Sequence, residues 1–481
     1  MKILFLYPSW TGEYKLFSHF AKKAGVWPPS NFTLLAAISE QHGHKVTIID
    51  AEAESISVKK LIEKALSNGP DIIGLGGRSP FFHLTRELAM GIKKKNEKIP
   101  IALGGQHITI MKEEAFFPCF DFAFIGEAEK SWPQFLEKFQ KGDKDFSEIK
   151  GLIYRQNGKS IFTGHWEATR DIDSLPFPAI HLLDTKRYRI GTLRGAKNFT
   201  TIQTVRGCPW KCIFCASSAL NTTVMRRRSP KLVIKEMKEV IARYNIRHFI
   251  FLDDILTLYK KHILEICDLI INEKLQITFE GGTRANLINE DMIKKMKEAG
   301  LIRLSFGLET VDDEMRKTMN KKVPLEAYST GNRILNKYNI EVCNSVMIGL
   351  PGETRETVKK TLNWLRNTRE VKQANFAIAV PYPGTEFYRM AKEGEHGVRL
   401  IAADFSKYRR YGSAVTQINE LGPEDLIELQ NEGFISIYSA YWRWLPMLRK
   451  NGILGVVLMF IRLFKLTVRR FSFFPEEAKK S

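Results

Sequence analysis

Three of the six cysteines of this chain, Cys208, Cys212 and Cys215, lie within eight residues of one another. Thiolates bind iron–sulfur clusters and zinc, so this segment is the strongest candidate for a metal centre. A 4Fe–4S cluster usually takes four thiolates; three would hold three irons and leave the fourth iron open for chemistry. A tetrahedral zinc site would need a fourth ligand, and the nearest histidines, His181 and His248, lie far along the chain. The spacing therefore favours the cluster.

The other three cysteines, Cys119, Cys267 and Cys343, are scattered, which is not the pattern of a disulfide framework. The first residues form only a short apolar run and lack the long apolar stretch and cleavage site of a signal peptide. No segment reaches the ~20 apolar residues that a membrane-spanning helix needs. We therefore expect a protein that is made and kept in a reducing cytoplasm.

The composition is that of a globular protein with an unusual charge. Hydrophobic residues make up 44% and charged residues 26% of the 481 residues, which argues against wholesale disorder and allows two or three domains. The net charge of +20 has two interpretations. One is an anionic partner such as nucleic acid, a phosphate-bearing substrate or an acidic membrane surface, and the other is a basic, well-solvated surface.

The cysteines directly follow a strand-like run that begins a series of strand–helix units. The six predicted strands of this series are Thr200–Val205, His248–Leu252, Ile277–Glu280, Ile302–Phe306, Glu341–Met347 and Asn375–Val380. Helical segments such as Pro230–Tyr244 and Glu290–Ala299 separate them. Six βα units predict a partial (β/α)6 barrel of the TIM type over residues 198–395, open on one side, with its active site at the carboxyl ends of the strands.

Residues 1–140 alternate in the same way, so the whole chain is assigned to the α/β class. Their five predicted strands are Ile3–Leu6, Val46–Ile49, Ile72–Leu75, Ile101–Leu103 and Phe122–Ile125. We expect a doubly wound, Rossmann-like parallel sheet, whose ligands bind beyond the carboxyl ends of the strands. Residues 141–197 are interpreted as a linker with one hairpin, and residues 396–481 as a basic, aromatic and mostly helical C-terminal region.

The C-x3-C-x2-C spacing after a first barrel strand resembles the radical S-adenosylmethionine superfamily. The resemblance implies a 4Fe–4S cluster whose open iron binds the amino and carboxylate groups of S-adenosylmethionine. It also implies that one electron from the cluster cleaves S-adenosylmethionine to a 5′-deoxyadenosyl radical, while the protein supplies positioning and exclusion of water. The electron would come from an external donor of the flavodoxin or ferredoxin type.

The resemblance extends along the barrel and implies four positions near S-adenosylmethionine. Phe214, before the third cysteine, would pack near the adenine, and Gly349 belongs to the glycine-rich motif after the fifth strand. Arg284 and Glu309 would lie near the ribose and methionine parts. The alternatives are a core aromatic for Phe214, and a buried ion pair or cap for Arg284 and Glu309. No residue stands out as a catalytic base.

Three acidic residues follow strands of the barrel and carry weaker signals. Asp253 and Asp254 end the second strand, but aspartate at a strand end is often only a turn residue. Glu353 lies in Pro-Gly-Glu-Thr, where it could simply cap the following helix. We assign none of the three a catalytic role.

The N-terminal sheet, placed ahead of such a barrel, resembles the cobalamin-binding domain of the corrinoid-dependent branch of this superfamily. The resemblance implies cobalamin contacts at Gly104, Gly105, His107, Gly126 and Glu127. The D-x-H-x-x-G signature, which supplies a histidine to cobalt in other cobalamin proteins, is absent. We therefore interpret His107 as a loop residue that contacts the corrin or the domain interface, and we leave the lower ligand of cobalt open.

The C-terminal region ends in a basic and apolar segment. Its apolar run, Gly452–Ile461, is too short to span a bilayer and is flanked by Arg449, Lys450, Arg462 and Lys465. Three interpretations stay open: a helical lid on the barrel, a helix at the membrane surface, and an anion-binding patch. Our hypothesis is a peripheral contact with the inner face of the membrane, where the enzyme meets a hydrophobic or lipid-like substrate.

Members of the branch that the chain resembles act on hopanoids, tetrapyrrole precursors and isoprenoid lipids, most often as methyltransferases. We expect methylation of an unactivated carbon, by way of cobalamin, on a small hydrophobic substrate, and we do not expect nucleic acid as a partner. With the same cofactors, the alternative is an oxidative cyclisation or rearrangement, as in the anaerobic magnesium-protoporphyrin ester cyclase that the chain also resembles. A non-catalytic corrinoid or iron–sulfur sensor is a third interpretation, and the motifs after the barrel strands, which include Arg284, Glu309 and Gly349, argue against it.

Overall fold

The structure, a computed structural model, describes residues 1–13, 25–192, 195–220, 223–444 and 448. Two largely parallel sheets follow one another along the chain, and each has its own hydrophobic core between strands and helices. The α/β class, the Rossmann-like first sheet and the partial barrel that the sequence predicts are confirmed.

The first sheet contains seven strands. They are β1 (Lys2–Tyr7), β2 (Lys45–Asp50), β3 (Ile72–Gly76), β4 (Ile101–Gly104), β5 (Phe122–Phe124), β6 (Leu152–Gln156) and β7 (Lys159–Phe162). Their order is β2-β1-β3-β4-β5-β6-β7; β1 to β5 run parallel, and the last two strands run antiparallel to their neighbours. The first five were predicted to within one residue at each end, because strands buried on both faces are nearly uninterrupted apolar runs.

Helices cover both faces of this sheet. They are α1 (Ser30–Gln41), α2 (Ala51–Glu54), α3 (Val58–Ser67), α4 (Phe82–Lys95), α5 (Gln106–Met111) and α6 (Ser131–Gln140). One core contains Leu61 of α3 and Leu88 of α4, and the other contains Phe32 of α1 and Trp132 of α6. This is the doubly wound arrangement, which leaves the carboxyl ends of the strands available to ligands.

The hairpin that the sequence places in the linker is hydrogen-bonded into the first sheet. β6 pairs antiparallel with β5, with Phe122 opposite Tyr154. The hairpin turns at Asn157 and Gly158, both of which have positive φ as a tight turn requires. Without β6, the outer edge of β5 would present unpaired backbone groups. A separate two-stranded ribbon, β8 (Arg189–Thr192) and β9 (Gly195–Asn198), precedes the barrel.

The barrel region contributes eight strands. They are β10 (Thr200–Ile202), β11 (Val205–Arg206), β12 (Arg226–Arg227), β13 (His248–Phe251), β14 (Thr278–Thr283), β15 (Leu301–Glu309), β16 (Glu341–Ile348) and β17 (Ala374–Ile378). Six of them form one parallel sheet in the order β10-β13-β14-β15-β16-β17. Within the described ranges its first and last strands do not pair with each other, so the barrel is open on one side.

The first predicted barrel strand, Thr200–Val205, is divided in the structure. β10 ends at Ile202, and the backbone N–H groups of Thr204 and Val205 donate to the carboxylate of Asp253 at 2.7 and 3.0 Å. These donors are thereby removed from the sheet ladder, and the chain leaves the sheet here. The prediction of one continuous strand is therefore wrong. Asp253, which interrupts the strand, lies almost fifty residues away in the sequence, so the local pattern of apolar residues does not reveal it.

Helices separate the barrel strands. They are α7 (Ser217–Leu220), α8 (Pro230–Tyr244), α9 (Lys260–Asn272), α10 (Glu290–Glu298), α11 (Asp313–Thr318), α12 (Leu325–Lys337), α13 (Arg355–Asn367) and α14 (Glu386–Glu393). Ordinary signals set their ends. Pro230 occupies the first turn of α8 and Asn245, in the left-handed conformation, ends it. A capping box of Thr354 and Thr357 begins α13.

The chain after the barrel forms a ribbon, β18 (Val398–Leu400) with β19 (Thr416–Ile418), and helix α15 (Pro423–Tyr438). Leu426 and Leu429 of α15 are part of the barrel core. The predicted apolar run Gly452–Ile461 and its basic flanks lie outside the described residues. Of the helices that the structure describes, none combines the length and apolar character that crossing a membrane requires.

Candidate active site

The three cysteines lie on a loop that leaves the barrel through a narrow neck. At the neck β11 and β12 pair antiparallel, with Val205 opposite Arg227 and Arg206 opposite Arg226. The loop between these strands carries all three cysteines and the short helix α7. It follows β10 at the carboxyl end of the barrel sheet, where the sequence placed it. We call residues 207–225 the cysteine loop.

The segment that follows α11 is hydrogen-bonded to the cysteine loop. The backbone N–H of Ile213 donates to the carbonyl of Met319 at 3.3 Å. The side-chain amide of Asn320 donates to the carbonyl of Lys211 at 3.0 Å. These contacts have no signal in the sequence, because the partners are more than a hundred residues apart and form no recognisable motif.

The cysteine side chains fit the ligation of iron. Burial raises the pKa of the Cys208 and Cys215 thiols, that of Cys215 to about 11, and the nearby Asp254 and Cys212 act in the same direction. The thiols of Cys208 and Cys215 are therefore protonated at neutral pH without iron, and iron binding there must displace protons. Among the described residues, no three His, Cys, Asp or Glu side chains are grouped as ligands of one metal ion. A 4Fe–4S cluster instead takes one thiolate per iron, so the three thiols on this loop suit three of its four irons.

Glu309, at the end of β15, forms a buried ion pair with Lys321, with 2.8 Å between Oε1 and Nζ. Burial opposes the charge of Lys321, but the Glu309 carboxylate holds the pKa of the ammonium above its ordinary value. A Cβ at Gly307 would collide with Oε1 of Glu309 and lie 2.6 Å from Nζ of Lys321, so a side chain there would have to displace the pair. The buried ion pair that the sequence left open for Glu309 is present, and its contact with S-adenosylmethionine stays a prediction.

Arg284, at the end of β14, lies beside the same pair. Its Nη2 donates to the carbonyl of Lys321 at 2.5 Å, and its guanidinium lies 4.3 Å from the centre of the Trp210 ring. Phe214 packs against the barrel core, with its ring centre 5.7 Å from Nζ of Lys321. The buried Nε of Arg284 has no hydrogen-bond partner in the described part of the chain, which leaves a donor for a ligand. Lys321, which the sequence did not single out, joins Arg284, Glu309 and Phe214.

Gly349 belongs to a tight turn after β16 that Glu353 holds in place. Gly349 has φ of +90°, which a residue with a side chain adopts only under strain. The N–H groups of Gly349 and Leu350 donate to Oε2 of Glu353 at 2.5 and 3.0 Å. Glu353 is 1% exposed, and burial raises its pKa to about 8. The cap of α13 is Thr354, so the expectation that Glu353 caps this helix is wrong.

Asp253 fixes the start of the cysteine loop. In addition to the two backbone N–H groups, its carboxylate accepts the hydroxyl of Thr204. Burial raises the pKa of Asp253 to about 6, although the three hydrogen bonds oppose the shift. The neighbouring Asp254 accepts a hydrogen bond from the Ser217 hydroxyl at 2.5 Å, on the far side of the loop. Both aspartates therefore hold the loop and are more than turn residues.

A cavity of about 360 Å³ lies between the carboxyl edge of the first sheet and the barrel. Its lining includes, from the two sides, Gly76, Gly104, Gly105, Gly126, Glu127, Thr201, Gln203 and Leu252. A side chain at Gly104 would meet nothing within 4 Å, so the backbone there faces open space. Gly105 has φ of +101°, and a side chain there would meet the backbone of Gly77. A backbone edge without side chains fits the close approach of a large flat ligand, as predicted for cobalamin.

Glu127, also predicted to contact cobalamin, is held by arginines of the barrel. Its two carboxylate oxygens lie 2.5 and 2.8 Å from Nη1 and Nη2 of Arg226. Gly126, beside it, packs beneath Trp166, whose ring a side chain at Gly126 would strike. The loop after β5 is thus tied to the neck of the cysteine loop, which the sequence did not reveal.

His107 lies in the first turn of α5 and not in a loop, which corrects the sequence interpretation. It is 3% exposed; Nδ1 is 3.1 Å from the Ser79 hydroxyl, and its ring centre is 4.2 Å from that of Phe82 and 4.9 Å from that of Phe405. Burial lowers its pKa to about 4, so the ring is neutral at neutral pH. Phe405 follows the barrel in sequence, so His107 lies at a contact between two parts of the chain. Within the described residues it is not part of the cavity lining.

Comparison with known proteins agrees with this geometry. Residues 202–365 match the radical SAM superfamily, and residues 20–136 match the B12 binding domain. Over 413 residues the chain is 29% identical to an uncharacterized methyltransferase of Pyrococcus horikoshii, PH0819, covering 85% of this chain and 88% of that protein. It is 26% identical over 416 residues to the anaerobic magnesium-protoporphyrin IX monomethyl ester cyclase of Rubrivivax gelatinosus, covering 85% of this chain and 72% of the cyclase.

Among solved structures, the fold matches that of the radical S-adenosylmethionine methyltransferase TsrM from Kitasatospora setae, which has cobalamin and a [4Fe-4S] cluster bound. The TM-score is 0.69, with 91% of this chain and 88% of that chain covered. The sequence identity is 15%, so this likeness establishes a shared fold.

Proposed function

We propose that this chain, a radical S-adenosylmethionine enzyme with a B12-binding domain ahead of its barrel, is a cobalamin-dependent methyltransferase of an unactivated carbon on a hydrophobic substrate. One observation carries the proposal. The cavity lies at the carboxyl edge of the first sheet that carries Gly104 and Gly105, which we call the glycine edge. It is also lined by Arg206, two residues before the first cysteine of the loop. A ligand bound there lies next to the cysteine loop, as methyl transfer between two cofactor sites requires.

The residues of each site match a different cofactor. Cys208, Cys212 and Cys215 would hold three irons of a 4Fe–4S cluster, and the glycine edge around Gly104 and Gly105 would hold cobalamin. With S-adenosylmethionine, these groups supply one-electron reduction, hydrogen abstraction and a transferable methyl group when bound. The reducing electron would come from a flavodoxin- or ferredoxin-type donor.

The protein's own contribution is to orient S-adenosylmethionine at the barrel mouth. Arg284 offers the unpartnered Nε donor, which suits a carboxylate. The ion pair of Glu309 with Lys321 fixes the positions of both side chains. Because both are buried, water is excluded from this part of the mouth. Phe214 offers an aromatic surface beside them, which suits the adenine.

A hydrophobic substrate is supported by the apolar part of the cavity lining. Besides the glycine edge, the lining includes Leu34, Leu35, Leu220 and Leu252. Leu252 follows β13 at the barrel mouth and is 37% exposed, although it is a large apolar side chain. An apolar side chain left exposed beside a cavity is typical of a ligand site.

Product analysis tests the proposal. The purified protein, reconstituted anaerobically with iron and sulfide, is given cobalamin, S-adenosylmethionine, a strong reductant and a bacterial lipid extract as substrate source. Formation of both 5′-deoxyadenosine and S-adenosylhomocysteine supports a methyltransferase. Formation of neither, with the cluster and cobalamin bound, would overturn the enzyme proposal and favour a sensor.

The second candidate is an oxidative cyclase with the same cofactors. It is favoured by the 26% identity to the magnesium-protoporphyrin ester cyclase. The same experiment separates the two functions, because a cyclase forms 5′-deoxyadenosine without S-adenosylhomocysteine. Deoxyadenosine alone would therefore replace the methyltransferase by the cyclase.

We also propose that the C-terminal tail binds an anionic membrane surface, where a lipid-like substrate would be found. The proposal rests on the sequence alone: ten apolar residues, Gly452–Ile461, flanked by Arg449, Lys450, Arg462 and Lys465. Flotation of the full chain with vesicles rich in phosphatidylglycerol should be lost when residues 449–481 are removed, and should be weak with phosphatidylcholine vesicles. Equal flotation with and without the tail would contradict it.

A further inference from the structure

The neck of the cysteine loop brings two positive charges together. Arg206 and Arg226 are directly opposite each other in the two-residue pairing of β11 and β12. Like charges opposite each other on neighbouring strands are destabilising. Their side chains are only 12% and 3% exposed, so water screens this repulsion poorly. The neck that closes the cysteine loop therefore needs negative charge from elsewhere.

That charge comes from the other domain. Glu127 binds Arg226 through both carboxylate oxygens, and its Oε2 lies 3.4 Å from Nη1 of Arg206. Glu129 places Oε1 2.7 Å from the same Nη1 of Arg206. Both glutamates lie in the loop after β5, at the carboxyl edge of the B12-binding sheet. Two carboxylates of one domain thus neutralise two arginines that flank the cysteines of the other.

The same network reaches the cavity. Glu127, Glu129 and Arg206 all line it. The second carboxylate oxygen of Glu129, Oε2, is buried and has no hydrogen-bond partner among the described residues. The side chain of Glu129 is 8% exposed. A buried carboxylate oxygen of this kind is costly unless a donor satisfies it. The cavity is therefore ready for a ligand that donates an N–H group.

We infer that Glu127 and Glu129 are positioning residues that couple occupancy of the cavity to the geometry of the cysteine loop. Glu127 holds the neck closed, and Glu129 links Arg206 to an N–H donor of the cavity ligand through its second oxygen. The inference rests on the proposed function, in which the ligand is cobalamin, whose corrin edge carries primary amides that donate N–H. Binding of cobalamin completes the hydrogen bonding of Glu129 and thereby fixes Arg206, two residues from Cys208.

The test compares three variants of the full-length, reconstituted protein. Glu129→Gln and Glu127→Gln remove one charge each with little change in shape, and Glu167→Gln, in an exposed pair with Lys130, is the matched control. Two quantities are measured: the electron paramagnetic resonance spectrum of the reduced cluster with and without hydroxocobalamin, and the Kd of hydroxocobalamin by absorbance titration. Iron content after gel filtration and the melting temperature report whether each variant is folded and loaded.

In the wild type and in Glu167→Gln, cobalamin should shift the cluster spectrum. Glu129→Gln should keep its iron, lose this shift, and bind cobalamin roughly tenfold more weakly. Glu127→Gln should lose iron faster on gel filtration because the neck is no longer neutralised. If this variant does not fold, Glu129→Gln still decides the coupling.

An unshifted wild-type spectrum, or a full shift and unchanged Kd in Glu129→Gln, would overturn the coupling. Failure of the proposed function looks different, because the wild type itself would then bind no cluster or no cobalamin. The two failures are therefore distinguishable in the same set of samples.

Discussion

The two ends of the barrel treat buried charge in opposite ways. At or near the amino ends of the strands, charged side chains neutralise one another. Nε2 of His248 lies 2.9 Å from Glu280, and Arg303 lies 2.8 Å from Glu280 and 3.2 Å from Glu341. Although burial opposes its charge, the hydrogen bond of His248 and the charge of Arg303 hold the pKa of Glu280 below its ordinary value.

At the carboxyl ends, Glu309 and Lys321 pair with each other, but other buried polar groups are only partly satisfied. The carboxylate of Glu353 is held by backbone N–H groups alone among the described contacts, and its pKa is raised. Nε of Arg284 has no partner in the described part of the chain, and neither has Oε2 of Glu129, which the first domain contributes to the cavity beside this end. The amino end therefore contributes stability, and the mouth keeps groups that a ligand must complete, as in barrels whose sites lie at the carboxyl face.

The largest expected effect is loss of the cluster at the mouth. Cys212→Ala removes one of the three proposed iron ligands, so we expect loss of the cluster and of all S-adenosylmethionine cleavage, with little change in the free energy of unfolding of the iron-free protein. Iron content, 5′-deoxyadenosine formation and urea unfolding measure the three. Cys119→Ala, a thiol of the first domain, is the control and should keep full iron. Retained cleavage in Cys212→Ala would contradict the assignment of the site.

At the amino end, a substitution is expected to lower stability and to leave cofactor binding intact. Glu280→Gln leaves His248 and Arg303 without their shared carboxylate and should lower the free energy of unfolding by about 3 kcal/mol. Cofactor binding should be unchanged. Because the pKa of Glu280 is lower in the folded state, its contribution is present at neutral pH and is lost as the pH falls through that lowered value.

Urea unfolding at pH 7 measures this effect. Glu290→Gln, which removes an exposed pair with Lys337, should change stability little. A Glu280→Gln variant that is as stable as the wild type but has lost cofactor binding would contradict the assignment of stability to the amino end and of ligand binding to the carboxyl end.

Much of this architecture could be read from the sequence, for physical reasons. Buried parallel strands are continuous apolar runs, so ten of the eleven predicted strands appear as single elements with nearly the predicted ends. Only Thr200–Val205 is divided. The cysteine loop was found because its three cysteines are close in sequence. These features depend on neighbouring residues alone.

Most of the features that escaped prediction join residues that are not neighbours in the chain. Lys321 pairs with Glu309 and supports Arg284, but a lysine after a short helix carries no local signal. The pairing of Glu127 with Arg226 spans ninety-nine residues and two domains. Asp253 divides the first barrel strand from a distance of forty-nine residues. Each is a buried polar contact, and the pattern of apolar residues does not specify which polar groups meet.

The smallest expected effect is a difference in how the stability contributions of Glu353 and Glu280, at the two ends of the barrel, depend on pH. The pKa of Glu353 is about 8 in the folded protein, above the ordinary value of 4.5. Between these values the folded state keeps a proton that the unfolded state releases, so the wild type loses stability as the pH rises, by about 1.4 kcal/mol per pH unit at most. Glu353→Gln cannot titrate and escapes this loss.

The free energy of unfolding of Glu353→Gln should therefore rise relative to that of the wild type as the pH is raised from 6 to 8. That of Glu280→Gln should show no such relative rise. Urea unfolding at pH 6, 7 and 8 measures the difference, with Glu356→Gln, an exposed neighbour on α13, as the control. Parallel pH profiles for the wild type and Glu353→Gln would mean that Glu353 is ionised in the folded protein. The carboxylates of the two ends would then carry the same charge, and the contrast would rest on Arg284 and Glu129 alone.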